Sequence, residues 1–263
     1  MPVPVVHHPD YSFPFPAKHR FPMEKFGLLA DYARERGLLT QANGFRPAPC
    51  RQAWLTRTHC PDYLARFAGD QLSAREKRQM NLPWSKGLVR RTFLAPSGTV
   101  LTAQLALQHG IACHLAGGTH HAHYDYAAGF CILNDLAIAA NVLLQQDGVG
   151  RVLIFDVDVH QGDGTAALLA NEPNAFTCSI HCERNYPFEK KVSDLDVALP
   201  DGLEDEPYLE VVSETLQEAL AQSRPDIVLY DAVIGGGYDD DRGKLARRHG
   251  IVAEAASRVF SSD

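Results

Sequence analysis

The sequence predicts an α/β fold with a mostly parallel central sheet. Helical patterns alternate with short apolar runs along most of the chain. Several of those runs end in turns rich in glycine, histidine and aspartate, the edge at which open parallel sheets place their ligands. No repeat, low-complexity tract or composition break divides the 263 residues, and their 45% hydrophobic content suffices for a large core, so residues 1–263 read as one domain.

Taken in order, Pro22 opens a helix with Phe26, Leu29, Tyr32 and Ala33 on one side, and Gly37 closes it. Ser73-x-x-Glu76 is a capping box for a short helix to Met80. Thr99 to His109 reads as a helix stopped by Gly110, and Ile111 to Leu115 as a strand whose turn, Ala116-Gly117-Gly118, sets His120 and His121 just past its end. Asn134 to Gln146 is a helix ending before Gly148. Between Arg151 and His160 a strand shows Leu153 and Phe155 to one face and Ile154, Asp156, Asp158 and His160 to the other. A strand near 175–181, a helix from Glu206 to Ser223 and a buried strand from Pro225 to Ala232 follow. The acids Asp239, Asp240 and Asp241 precede a last helix and suit its cap. Loops 10–22, 81–98 and 183–205 are Pro-rich or polar and are expected to form the rim that selects substrate.

The chemistry concentrates in Asp156-x-Asp158-x-His160. Two carboxylates and an imidazole directly after an apolar run need partners, and an oxygen and nitrogen set of this size suits catalytic zinc, or iron in the same geometry. Adjacent imidazoles at His120 and His121 are what a metal-water hydrolase needs, one taking the proton of water and one supplying the leaving group. Asp156 and Asp163 are available to fix their tautomers. A formal charge of -7 argues against a general nucleic-acid binder. Nothing reads as a signal peptide or spanning helix, so a cytoplasmic protein with no membrane contact is expected. The six cysteines lack paired zinc-finger spacing and read as reduced thiols.

Five segments together carry a resemblance: Gly117-Gly118-Thr119-His120-His121-Ala122, Gly129-Phe130-Cys131-Ile132-Leu133-Asn134-Asp135, Asp156 to Gly164, Ser179-Ile180-His181 and Gly235-Gly236-Gly237-Tyr238. In order and spacing the chain resembles the histone deacetylase family of the arginase/deacetylase superfamily. His8-Pro9-Asp10-Tyr11 and Gln161 are similar to its small class IV and related bacterial branch. The resemblance implies a three-layer arginase/deacetylase-like fold and a zinc-dependent deacylase, cleaving an acyl amide on a lysine side chain of a protein or peptide, or on a polyamine. It implies one Zn2+ per intact site, with Asp158 and His160 as two of three ligands, and His120 and His121 as the acid/base pair backed by Asp156 and Asp163. It further implies Tyr238 as the oxyanion donor, Gly129, Phe130 and Tyr186 as walls of the acyl-lysine tunnel, and Asp156, Asp158 and Ser179 at a structural K+ site.

One part of the family pattern is missing. The counterpart of the strand 225–232 continues into Gly-x-Asp, carrying the third zinc ligand, then a helix and another strand; here Ala232 is followed at once by Val233-Ile234 and the glycines. Parallel neighbours need a crossover of about 10 to 12 residues or more. Asp231 precedes the expected ligand position and is set aside, while Asp239 to Asp241 offer a substitute carboxylate or a helix cap. Two other readings therefore stand beside the deacylase: an impaired or inactive member of the fold, and an arginase-like hydrolase with two metal ions. Metal stoichiometry separates them: one zinc, none, or two manganese per chain.

Overall fold

The structure, a computed structural model, describes residues 2–232, 239 and 241–260. In chain order it contains β1 (Val5–Val6), α1 (Lys25–Glu35), β2 (Gly44–Phe45), α2 (Gln52–Thr58), α3 (Pro61–Ala68), α4 (Ala74–Met80), α5 (Lys86–His109) and β3 (Cys113–His114). These are followed by α6 (Asp135–Leu143), β4 (Val152–Asp156), α7 (Asp163–Leu169), β5 (Ala175–Cys182), β6 (Leu195–Leu199), α8 (Asp205–Ser223), β7 (Ile227–Asp231) and α9 (Arg242–Phe260). Among the described residues all paired strands are parallel, so the α/β prediction holds.

Strand β4 is central because every residue from Val152 to Asp156 is buried. Its alternation sorts the layers. Leu153 and Phe155 pack with Cys178, Ile180 and Ala219 of α8 on one face. Val152 and Ile154 join the larger core with Leu94 and Val100 of α5 and Leu136 and Ile138 of α6 on the other. Helices thus cover both faces of the sheet, giving three layers. Helix α4 has the reciprocal Ser73 and Glu76 capping box.

Three sequence expectations need correction. The loop 81–98 is mostly helix: Ser85 caps the amide of Leu88, and α5 runs unbroken past Pro96 to His109. The loop 183–205 contains β6, whose residues alternate between half-buried and exposed because they pair on the outer side of β5. The strand from 151 to 160 stops at Asp156, so Asp158 and His160 lie in the turn beyond it rather than in the same extended row.

Among the described residues the strands form two sheets, ordered β2-β1-β3 and β6-β5-β4-β7. A cavity of about 700 Å3 lies where β3 and β7 face one another, lined by Ile227, Leu229, Leu115, His114 and the α9 residues His249 and Ala253. On the outer face of β7, Val228 and Tyr230 remain 38% and 51% exposed. No helix among the described residues is long and apolar enough to cross a membrane.

Candidate metal and proton-transfer site

The carboxyl ends of β3, β4 and β7 meet in one place because β4 and β7 pair in register, Asp156 opposite Asp231, and β5 places Ser179 on the other side of Asp156. The segment after β3 is fixed by α6. Asn134, the N-cap of α6, sends its amide Nδ2 to the carbonyls of His120 and Ala122, and Thr119 donates its backbone N–H to Asp135 Oδ1 at 2.7 Å. Gly118, at φ +71°, leaves room for Asp231, whose Oδ1 a Cβ there would strike at 2.6 Å.

The two histidines are buried, their rings 4.1 Å apart. His120 Nδ1 donates to Asp156 Oδ2 and His121 Nδ1 to Asp163 Oδ1, both at 2.6 Å. Each Nε2 is thereby left as the reactive nitrogen. The pair differs in charge. Burial works against a proton on His120, but the carboxylates of Asp156, Asp158 and Asp231 outweigh it and push the pKa up to about 10. Burial and the neighbouring His120 charge bring His121 down to about 4 despite Asp163. At neutral pH His120 is an imidazolium and His121 a neutral base.

Asp158 Oδ1 lies 3.0 Å from His160 Nδ1 and accepts the His160 backbone N–H at 2.8 Å. Although burial opposes it, the hydrogen bond from His160 and the charge of His120 hold the Asp158 carboxyl well below the usual range. Two donors about 2.0–2.1 Å from one tetrahedral ion stand roughly 3.3 Å apart, so these atoms fit two corners of a zinc or iron site. No third His, Cys, Asp or Glu among the described residues joins them; the group whose donor atoms lie within 4.8 Å of one another is His120, Asp156 and Asp231. Sequence reasoning set Asp231 aside. The structure instead buries its carboxylate 3.8 Å from His120 Nδ1. Burial and the nearby Asp156 raise its pKa well above the ordinary value.

A pocket of about 400 Å3 opens onto this cluster, lined by His120, His121, Asp158, His160, Gly129, Phe130 and Tyr186. Ala128 and Cys131 exchange backbone hydrogen bonds across Gly129 and Phe130, which both take positive φ, 52° and 66°, as a tight primed turn demands. Opposite, the Tyr186 ring stands edge-on to His121 at 4.9 Å and to His160 at 6.0 Å. The loop carrying Tyr186 is tethered by Gln161, which bonds the backbone of Lys191 in both directions and the Asp196 carboxylate.

The structure therefore brings together His120, His121, Asp156, Asp158, His160, Asp163, Gly129, Phe130 and Tyr186. Ser179 sits beside Asp156 in the sheet and shares a 3.1 Å contact with His181 Nδ1. Tyr238 and Asp240 lie outside the described residues. Asp241 caps the Lys244 amide of α9, and Asp239 pairs with Lys244 and Arg248, so these acids act at a helix start. The sequence reading names Asp231 only to set it aside as a zinc ligand and does not name His123, for which the His120-His121-x-His123 spacing is the available signal.

Comparison with known proteins identifies the family and the fold. Residues 19–262 match the family described as Histone deacetylase domain. An uncharacterized protein of Picosynechococcus sp. is 49% identical over 243 residues, covering 92% of this chain and 81% of the relative. The acetoin utilization protein AcuC of Staphylococcus xylosus is 30% identical over 240 residues, and the chain spans 83% of itself but 62% of that relative. The chain likewise spans 58% of Histone deacetylase 2 of Arabidopsis thaliana, at 26% identity. A solved histone deacetylase homologue from Aquifex aeolicus superposes with a TM-score of 0.74 over 88% of this chain and 68% of the other. At 23% identity that likeness is one of fold.

Proposed function

Because the chain belongs to the histone deacetylase family of hydrolases, we propose that its site is that of a metal-dependent deacylase acting on an acyl amide of a lysine side chain or a polyamine. The observation that carries this reading is the pair of histidine-aspartate couples facing Asp158 and His160 across one pocket with an aromatic wall on either side. Asp158 and His160 would hold the ion, a single Zn2+ by the family's habit, and a bound ion supplies an acidified water and a polarised carbonyl. Neutral His121, its Nδ1–H committed to Asp163, takes the proton of the attacking water at Nε2. Charged His120 balances the negative charge that develops on the carbonyl oxygen and supplies a proton to the departing amine. Phe130 and Tyr186 hold the methylenes of the chain that carries the amide. Tyr238 takes the role of oxyanion donor, and Asp156, Asp158 and Ser179 that of a K+ site, by family pattern alone. The reading places the protein in the cytoplasm, with no membrane or direct nucleic-acid partner.

Among the described residues no third ligand joins Asp158 and His160, so zinc is expected to bind weakly and the assay supplies it. Purified protein at stepwise zinc concentrations is incubated with an acetyl-lysine peptide and, separately, an N-acetylpolyamine. Slow acetate release that follows zinc occupancy and vanishes in His121→Ala, with zinc binding unchanged, is the expected result. Release that persists in His121→Ala, or that needs two manganese ions per chain, overturns the reading.

A further inference from the structure

The two catalytic aspartates are immobilised differently. Asp156 uses Oδ2 for His120, and its Oδ1 accepts the backbone N–H of Asp158 at 2.9 Å. Asp163 uses Oδ1 for His121, and among the described residues its Oδ2 faces a side chain, His123 Nε2, at 2.9 Å. A carboxylate can only accept, so His123 donates. We infer that His123 is a positioning residue for the His121 base, doing with a side chain what the backbone does for His120. The inference rests on the deacylase reading only for its kinetic consequence; its structural content is independent of it.

His123 is built for that task. It is buried, 6% exposed, and its ring stacks on Tyr126 at 4.4 Å with planes 15° apart. Its own amide donates to the Tyr126 carbonyl at 3.0 Å. Its carbonyl accepts the Nδ1–H of His59 at 2.9 Å, and His59 Nε2 accepts the backbone N–H of Asn134, also at 2.9 Å. Asn134 in turn holds the carbonyl of His120. A chain of hydrogen bonds between buried groups therefore runs from the α6 cap through His59 and His123 to Asp163 and His121, and the peptide bond between His120 and His121 closes it. Without the bond to Oδ2, the Asp163 carboxylate is free to rotate about its terminal torsion, and the His121 Nδ1–H tautomer loses its unique partner geometry.

The test uses His123→Phe, which keeps the ring against Tyr126 but removes the donor, and His123→Gln, whose amide N–H can reach Asp163. Histidine-labelled protein gives the His121 tautomer by 15N NMR, with or without turnover. The parent and His123→Gln should show His121 with the proton on Nδ1, and His123→Phe a mixture of tautomers. With zinc and acetyl-lysine peptide, His123→Phe should lose about 10-fold in kcat at nearly constant KM, and His123→Gln should recover most of it. If His123→Phe does not fold, His123→Asn, too short to reach Oδ2, replaces it. A His121 ring that stays wholly in the Nδ1–H form without the His123 donor overturns the inference. A parent that turns over no substrate counts against the deacylase reading alone, since the tautomer measurement still decides the role of His123.

Discussion

Phe130 keeps a backbone φ of 66°, a region that costs a bulky residue of the order of 1 kcal/mol, because the two-residue turn between Ala128 and Cys131 leaves no alternative. Strain of this kind is retained where the side chain is useful. Phe130→Gly should therefore leave the thermal midpoint almost unchanged while raising KM for an acyl-lysine peptide several-fold, and a melting curve with steady-state kinetics checks both. Its neighbour Gly129 cannot be exchanged so freely, because a Cβ there would collide with the His121 ring. Tyr238→Phe, in a chain with a complete metal site, should lower kcat on the order of 100-fold or more with little change in KM, since a donor to the oxyanion strengthens its bond only as charge develops. His59 bears on stability. Burial, only partly countered by its bonds to backbone carbonyls, lowers its pKa from 6.5 to about 4, so the folded state binds fewer protons than the unfolded chain between those values. The contribution is complete above about pH 6.5 and is lost as pH falls toward 4, amounting to on the order of 3 kcal/mol. His59→Gln, whose amide can donate to His123 and accept from Asn134 without titrating, should flatten the pH dependence of the melting temperature over that window.

The elements that were legible in the sequence are those whose local signals agree with their tertiary role. The capping box of α4, the Gly110 stop of α5, the Asn134 start of α6 and the apolar run of β4 could all be read directly. Where local chemistry and packing disagree, the reading failed. Pro96 and Gly98 mark a break by composition, yet α5 continues through them: Gly98 has no side chain to obstruct the Tyr11 hydroxyl and the His114 ring that press against the helix there. Strand β6 escaped notice because it is a half-exposed edge, with one acid just before it, Asp194, tied to Thr177 and one within it, Asp196, tied to Gln161. The start of α5 makes its own forecast: Ser85→Ala, by removing the bond to the Leu88 amide, should cost about 1 kcal/mol in denaturant unfolding. At the other end of the sheet, Val228 and Tyr230 stand on the face of β7 that a crossover helix would cover. Replacing Val228 with threonine should reduce aggregation, read by light scattering, without lowering the melting temperature, whereas Tyr230 stacks on buried Phe155 and is kept.

At the scale of the molecule, the couples His120–Asp156 and His121–Asp163 could be anticipated from motif order, whereas the place of Asp231 could not. Asp231 reaches the histidines through strand register, which only the pairing of β4 with β7 decides. On the proposed reading the same junction governs metal affinity. Inserting a Gly-x-Asp strand end and a crossover helix between Ala232 and Val233 should raise zinc affinity by well over 10-fold, measured by competition with a chelator, since it completes a three-ligand set. The division of the strands into two groups has a dynamic consequence. Strands β1, β2 and β3 span two residues each, and among the described residues no ladder of hydrogen bonds joins them to the longer strands of the second group. Their tie to the remainder runs through side-chain packing, chiefly of α5 against α6, and through the hydrogen bonds that hold the segment after β3, among them Thr165 N–H to the His120 carbonyl. Two ladders without a shared rung open as separate cooperative units. Native-state hydrogen exchange should then resolve two plateaus, with the amides of Leu115 and His7 released through a partial opening that leaves Ile154 and Ile180 protected, and a common exchange free energy for all four would show that packing alone welds the halves together.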